Sequence, residues 1–501
     1  MTKARGGVDI LHGSLWKGIP RFALPVAATG ILEQLSGFVN TLMIGRFAAD
    51  GGTFGMAAVG SVTPIASLFV MLFVGLSLGA NVAIARAVGA GEKDRASRCA
   101  HTAVALSAAG VVFAIVLELL SRPMLLCLNV PPEVFDDALL YLRVYLIGMP
   151  AILLYNFEAA IFRSVGVTRM PLVALAISAV LNVVLDGIFI AALGWDEVGV
   201  ALATVLCYVA SSGFLFVRLL GAQEPIRITP ARLRVDRAAL REIVRVGVPA
   251  GIQGGAFSIA NVLIQTCINS LGPEVVAASS ASLALEYVCY SLLNSFSQAC
   301  TTFVGQNDGA NNLTRCKGTL RVCLVEGAVS AIVMIGLVVW QGRVVLSLFN
   351  PDTTVIDLAY VRVCIIFPVY VFSMAYENMS GYLRGFGISG LPSALTVLGV
   401  CGTRFIWALV VFPMNPTFAN VMLAYPVSLG LTAVLIAGAL AYADLRRSGR
   451  GREGPRRWRG ECDRRSDFGT LGLACGPRGR GGWSGRPRGR SNIHASSLRN
   501  E

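Results

Sequence analysis

Long apolar runs, broken by short polar stretches, repeat along most of the chain. Twelve of them reach the ~20 residues that a helix needs to cross a bilayer. In the first half they lie near 19–44, 57–82, 100–120, 137–162, 170–193 and 198–218. In the second half they lie near 242–270, 277–303, 319–340, 357–383, 391–412 and 419–443. Runs of this length satisfy their backbone groups in lipid only as helices. The pattern therefore predicts an all-α membrane protein with about twelve transmembrane helices. Residues 1–18 are polar and basic, and the first apolar run is a full span long. That predicts a short cytoplasmic N-terminus rather than a cleaved secretion leader.

Lys and Arg fall unevenly on the two sides of these spans. With the N-terminus inside, the inner segments hold Lys93, Arg95, Arg98, Arg163, Arg169, Arg315, Lys317, Arg384 and others, while the outer loops hold only Arg46, Arg122 and Arg343. This follows the positive-inside rule. It places both termini in the cytoplasm and predicts a multi-pass protein of the cell membrane. The halves also echo each other. Arg21-Phe-Ala-Leu-Pro25 matches Arg245-Val-Gly-Val-Pro249, and Tyr141-Leu-Arg143 matches Tyr360-Val-Arg362. Phe162-Arg163-Ser-Val-Gly166 matches Leu383-Arg384-Gly-Phe-Gly387, and Pro171 matches Pro392. Six spans per half give both halves one orientation. The prediction is two six-helix lobes, 19–218 and 241–445, related by a pseudo-two-fold axis along the membrane normal. Substrate sites in such repeats lie near the midplane between the halves. Residues 219–240 are charged and carry Pro225 and Pro230, as a cytoplasmic linker would.

Composition agrees. The chain is 55% apolar and 14% charged, against about a quarter charged in soluble domains. Its net charge of +13 is concentrated in residues 446–501, where fifteen Arg face five acids. That stretch is Arg/Gly-rich without apolar periodicity, and the prediction is a disordered cytoplasmic tail. Nucleic acid is accordingly not an expected partner of the folded part. The twelve Cys include no C-x-x-C pair, and His12, His101 and His494 are far apart. No zinc or dithiol site is expected. No Gly-Lys-Ser/Thr occurs, so ATP hydrolysis through a P-loop is not expected. No cofactor is expected either; an ion gradient is the remaining energy source for active transport.

A charged side chain at a helix centre costs at least ~2.5–3.5 kcal/mol, so one that is present faces protein or water. Asn182 and Asp186 stand one helical turn apart on a common face, and Thr204 lies in the next span. Carboxylate, amide oxygen and hydroxyl together suit Na⁺, and the carboxylate alone suits a proton. An interhelical packing cluster is the competing reading. Glu33 and Gln34 lie mid-way along the first span, with Asn40 two turns on from Glu33. Glu33 is a candidate proton carrier or counter-charge for a cation. Glu286, inside the eighth span, is a candidate cavity carboxylate, with packing as the alternative. Arg404 is expected to pair with an acid or with carbonyls, and Glu158 and Glu377 are weaker candidates.

The chain resembles the MATE (multidrug and toxic compound extrusion) family, prokaryotic type, over about residues 14–445. The residues that carry the resemblance are Gly60-Ser-Val-Thr-Pro64, Gly75-Leu-Ser-Leu-Gly79, Leu181-Asn-Val-Val-Leu-Asp186, Val198-Gly-Val-Ala-Leu-Ala-Thr204, Ser297-Gln298 and Val304-Gly305-Gln306. The resemblance implies two lobes around a V-shaped cavity, and export of amphipathic or cationic small molecules in exchange for H⁺ or Na⁺. It implies a cation site at Asn182, Asp186 and Thr204, completed from the first helix. There the family's Val-Asp-Thr stands as Val39-Asn40-Thr41, so one carboxylate is missing, and Glu33 is the candidate to replace it. The resemblance aligns Glu286 with a family Glu, and Glu33, Gln34 and Glu286 are the candidate residues of the substrate cavity. The expected partners are organic small molecules and membrane lipid, and the expected state is a monomer. A flippase for a lipid-linked or polyanionic precursor shares the architecture and is the alternative.

Overall fold

The computed structural model describes residues 7–47, 53–127, 130–347 and 352–450. The tail from 451 onward lies outside the described residues. Among them, twelve helices are long and apolar enough to cross a membrane. They are α1 (Leu15–Phe47), α2 (Thr53–Gly89), α3 (Lys93–Cys127), α4 (Pro132–Ser164), α5 (Arg169–Ala192), α6 (Asp196–Leu220), α7 (Arg237–Asn269), α8 (Pro273–Gly309), α9 (Leu313–Ser347), α10 (Thr353–Gly385), α11 (Gly390–Met414) and α12 (Phe418–Arg450). Each corresponds to one predicted span, but most run further at both ends. A helix of 37 residues, such as α2, is about 55 Å long at 1.5 Å per residue. That exceeds the ~30 Å hydrocarbon layer, so polar turns such as Lys93–Arg98 belong to helices whose apolar signal has already ended.

Three helices depart from α geometry. The chain of α5 widens into a π-helix at Gly187–Ala192, directly after Asp186. The run of α11 is π-helical at Val397–Gly402 and again at Trp407–Val411. A 3₁₀ turn at Phe367–Val369 interrupts α10 at Pro368, where the missing N–H removes a helical bond. Such local widenings often accompany functional sites.

The helices through Leu445 form one compact unit. In the first half α4 packs on α2, α3 and α6, and α5 lies between α1 and α6. In the second half α8, α9 and α10 pack together, and α7 packs on α11. Each half's first helix crosses to the other half's second: α1 packs on α8, and α7 on α2. This reciprocal exchange is what like-oriented repeats produce about one axis. The α2–α7 crossing is a seam of small residues. A Cβ on Gly75 would lie 2.2 Å from the Gly251 nitrogen, and one on Gly79 would lie 2.2 Å from the Ile243 carbonyl oxygen. Backbones come this close only where side chains are absent, a common device where lipid supplies no hydrophobic drive between helices. The outer surface is apolar, with Leu119, Trp340 and Val434 at least 70% exposed, as a lipid-facing surface requires.

The connection between the halves is held to α3. The backbone N–H of Thr229 donates to His101 Nε2 at 3.0 Å, and that of Asp236 to Thr102 Oγ1 at 3.1 Å.

Candidate functional site

Asp186 ends the α-helical part of α5, one turn after Asn182, and both are buried. A side-chain ladder fixes α5 against α6. Ser178 Oγ donates to the Cys207 carbonyl at 3.1 Å, and Ser211 Oγ to the Ala174 carbonyl at 3.3 Å. That pairing sets Thr204 beside Asp186. From α1, Asn40 completes the cluster, and its amide orientation follows from the hydrogen-bond network. Turned so that both ends are satisfied, its nitrogen donates to Asp186 Oδ2 (3.0 Å), Asn182 Oδ1 (2.7 Å) and the Ser36 carbonyl (3.0 Å), while its oxygen accepts from Thr204 Oγ1 at 3.1 Å. The structure thus brings Asn40, Asn182, Asp186 and Thr204 together.

The cluster is rich in oxygen and short of donors. Asp186 is 0% exposed, and its Oδ1 has no hydrogen-bond partner among the described residues. Buried polar atoms are ordinarily paired, so this oxygen is free to accept a proton or a small hard cation. Carboxylate, amide and hydroxyl oxygens are the ligands such cations prefer. Tyr141 of α4 lies within electrostatic reach of Asp186, a neighbour the sequence did not single out.

Glu33 is not part of this cluster. Seven residues before Asn40, it is about 10 Å away along the α1 axis. Its side chain is exposed, as is that of Gln34. Glu33 stands in the electrostatic field of Arg163 and acts in turn on Tyr155 and Tyr208. The carboxylate therefore belongs to a surface shared by α1, α4 and α6 rather than to the Asp186 pocket.

In the second half, Glu286 is 4% exposed and fully engaged. Arg362 Nε donates to its Oε1 at 2.5 Å, Arg362 Nη2 to its Oε2 at 3.1 Å, and the Tyr370 hydroxyl to Oε2 at 3.3 Å. Arg362 Nη1 also donates to Ser279 Oγ. Arg362 enters the sequence analysis only as a marker of the repeat, not as a site residue. An arginine within the apolar run 357–383 was the available signal, because such a charge requires a partner. Arg404 takes the carbonyl alternative of its two expected partners and meets no acid among the described residues. It donates to Asn261 Oδ1 at 2.5 Å and lies over the rings of Tyr425 and Phe257. Glu377 faces Arg384 at 3.7 Å, and Arg384 donates to Gln253 Oε1 at 2.8 Å. Glu158 is 0% exposed, with neither carboxyl oxygen partnered among the described residues.

The bonds that join the halves cluster at the arginine-rich end. Arg86 reaches Asp308 at 3.1 Å and Glu242 at 3.7 Å, and Arg95 reaches Glu242 at 2.7 Å. The halves are further joined where Arg163 donates to Gln298 Oε1 at 3.1 Å, Thr302 to Asn81 Oδ1 at 3.0 Å, and Gln306 to the Ser164 carbonyl at 2.6 Å.

Known proteins share this fold. The family model MatE matches residues 25–188 and 249–410, one stretch in each half. The chain is 24% identical over 434 residues to the probable multidrug resistance protein YoeA of Bacillus subtilis, covering 85% of this chain and 93% of that one. It is 25% identical over 397 residues to the probable multidrug resistance protein NorM of Thermotoga maritima, covering 77% and 84%. Among solved structures, a crystal structure of MATE in complex with MaL6 has a TM-score of 0.81 at 22% identity, covering 90% of this chain and all of that one. An outward-facing multidrug resistance MATE transporter scores 0.78 at 22% identity, covering 89% and 99%. With the family pattern spanning both halves of a twelve-helix membrane protein, the chain belongs to the MatE family.

Proposed function

We propose that this protein exports amphipathic or cationic organic molecules in exchange for H⁺ or Na⁺ by alternating access, with Asp186 as the coupling carboxylate. The observation that carries the reading is the unpartnered Oδ1 of fully buried Asp186, inside a cluster of oxygen donors from three helices. An ion drives a conformational change only through its different affinities for the two states. A carboxylate whose cluster is contributed jointly by α1, α5 and α6 supplies that difference, since moving α1 removes Asn40. A proton or Na⁺ entering from outside neutralises Asp186 and favours release of a cationic substrate. Its loss inside restores the negative charge and favours capture. Glu33, exposed on α1 two turns away, serves in this scheme as counter-charge for the substrate.

The tight bonding at the arginine-rich end matches a state closed to the cytoplasm, with that end inside the cell. The monomer suffices, because one chain supplies both halves of the interface. Export of a polyanionic lipid-linked precursor finds less support. Such a substrate needs several unpaired cations, whereas Arg362 and Arg384 face Glu286 and Glu377, which leaves Arg404 as the exception.

Ethidium efflux from cells expressing the chain tests the reading. Efflux should collapse when the ion gradients are dissipated, and Asp186→Asn should abolish it at equal expression. Undiminished efflux in Asp186→Asn would remove Asp186 from the coupling site.

A further inference from the structure

The second half contains a counterpart of the Asp186 cluster, and a fixed charge stands in it. A shift of 221 residues relates Arg163 to Arg384 and Pro171 to Pro392. The same shift relates Gly166 to Gly387, which share a positive φ of 82° and 78°. It also aligns Gly199-Val-Ala-Leu-Ala-Thr204 with Asn420-Val-Met-Leu-Ala-Tyr425. The π-helix at Gly187–Ala192 finds its counterpart at Trp407–Val411. For the first helix of each half the shift is 224, from Pro25 to Pro249. The four cluster residues Asn40, Asn182, Asp186 and Thr204 therefore correspond to Ile264, Thr403, Trp407 and Tyr425. The carboxylate and both amides are gone.

Beside Thr403 stands Arg404, 2% exposed. Its guanidinium carbon lies 4.3 Å from the ring centre of Tyr425, the counterpart of Thr204. Its Nη1 donates to Asn261, one turn before Ile264 on α7. The charge is thus held by α7, α11 and α12, the counterparts of α1, α5 and α6. Among the described residues Arg404 has no carboxylate partner. Glu286, joined to this network through Arg362 and Tyr425, is neutralised by Arg362, which lies 5.7 Å from the ring centre of Tyr425.

We propose that Arg404 is a tethered cation occupying the place where the first half takes an exchangeable one, so that transport is coupled through a single ion site, in the first half. This inference rests on the coupling role proposed for Asp186. A free cation next to Arg404 meets like-charge repulsion in a medium of low dielectric constant. A tethered charge also has the same occupancy at every ion concentration. The second half therefore follows the gradient only through its contacts with the first.

Two tryptophans report the halves separately. Trp195 stacks on Phe189 of the α5 π-helix at 5.7 Å, and Trp407 occupies the Asp186 counterpart. In the purified full chain, all tryptophans but one are replaced by Phe. Fluorescence is then titrated with NaCl against choline chloride, and with pH, with and without Asp186→Asn. The expected result is a saturable Trp195 response that Asp186→Asn abolishes. Trp407 should either stay flat or show a change that the same substitution also abolishes, as a signal passed from the first half must. A saturable Trp407 response that persists in Asp186→Asn would reveal a second exchangeable site and overturn the inference. Silence of both reporters to Na⁺ and to protons would instead remove the first-half coupling site, and this inference with it. In efflux, Arg404→Lys should retain most of the wild-type rate and Arg404→Gln should lose it.

Discussion

Glu286 and Arg362 leave water together. Their two charge-assisted bonds and the Tyr370 and Ser279 contacts leave neither group unpaired. Removing one partner strands the other, which typically costs ~3–5 kcal/mol, whereas replacing both by apolar groups is often neutral. Glu286→Gln should therefore lower the thermal unfolding temperature in detergent markedly, and Glu286→Leu with Arg362→Met should recover most of the loss. A double variant no more stable than the single would show that the pair does more than cancel charge. Glu158 presents the opposite case. With no partner for either oxygen among the described residues, an ionised carboxylate there would be uncompensated, so the site suits a neutral group. Glu158→Gln should keep near wild-type efflux, in contrast to Asp186→Asn, and loss of efflux in a folded Glu158→Gln protein would make Glu158 a second coupling residue. The spacing of Asn182 and Asp186 was legible because four residues is one helical turn. Arg362 was legible as a charge in an apolar run, but its partner was not, because Glu286 lies 76 positions away and only the tertiary fold brings them together.

Helices α2 and α7 meet backbone to backbone, so their separation is set by Gly75, Gly79, Gly247 and Gly251 rather than by side chains. Gly79→Val would push a side chain onto the Ile243 carbonyl. Overpacking of this kind typically costs ~1–3 kcal/mol, which would loosen the seam by roughly fivefold to a hundredfold. Val246, 2% exposed beside it, is a suitable reporter. A Val246→Cys protein should resist maleimide, and the same protein with Gly79→Val should label several-fold faster and lose efflux. Equal labelling rates would mean that the seam tolerates the side chain and that closure is set elsewhere. Number and order of the helices were legible from apolar runs alone. Their ends were not, because hydropathy fades while the backbone continues into polar turns. The π-helices after Asp186 and at Trp407 were not legible either, since they arise from a slip in backbone bonding that side-chain periodicity does not encode.

At the scale of the whole molecule, the inverted choice between two openings depends on what holds the arginine-rich end shut. The repeat made the like orientation of the halves legible, but not which end is closed, because that depends on pairs formed between the halves. Arg86, Arg95, Glu242 and Asp308 form a connected ionic set across the interface. The N-terminal segment adds a second tie: the Val8 N–H donates to the Gly166 carbonyl at 3.0 Å, and Arg315 Nε to the Ile10 carbonyl at 3.1 Å. Isolated exposed pairs contribute only ~0.2–1 kcal/mol, and networks contribute more. Glu242→Gln with Asp308→Asn removes both acids of the interface set while leaving the small-residue seam intact. A loss of about 1.4 kcal/mol from the closed state would change the ratio of the two openings tenfold. The double variant should therefore label faster at a cysteine placed for Ala87, which is 0% exposed near this end, and its efflux should fall because the outward-open state is less populated. High salt should increase labelling of the wild type in the same direction, though less, since screening weakens partly exposed pairs. Labelling unchanged by either treatment would mean that the glycine seam and the N-terminal segment hold the end closed without the ionic set.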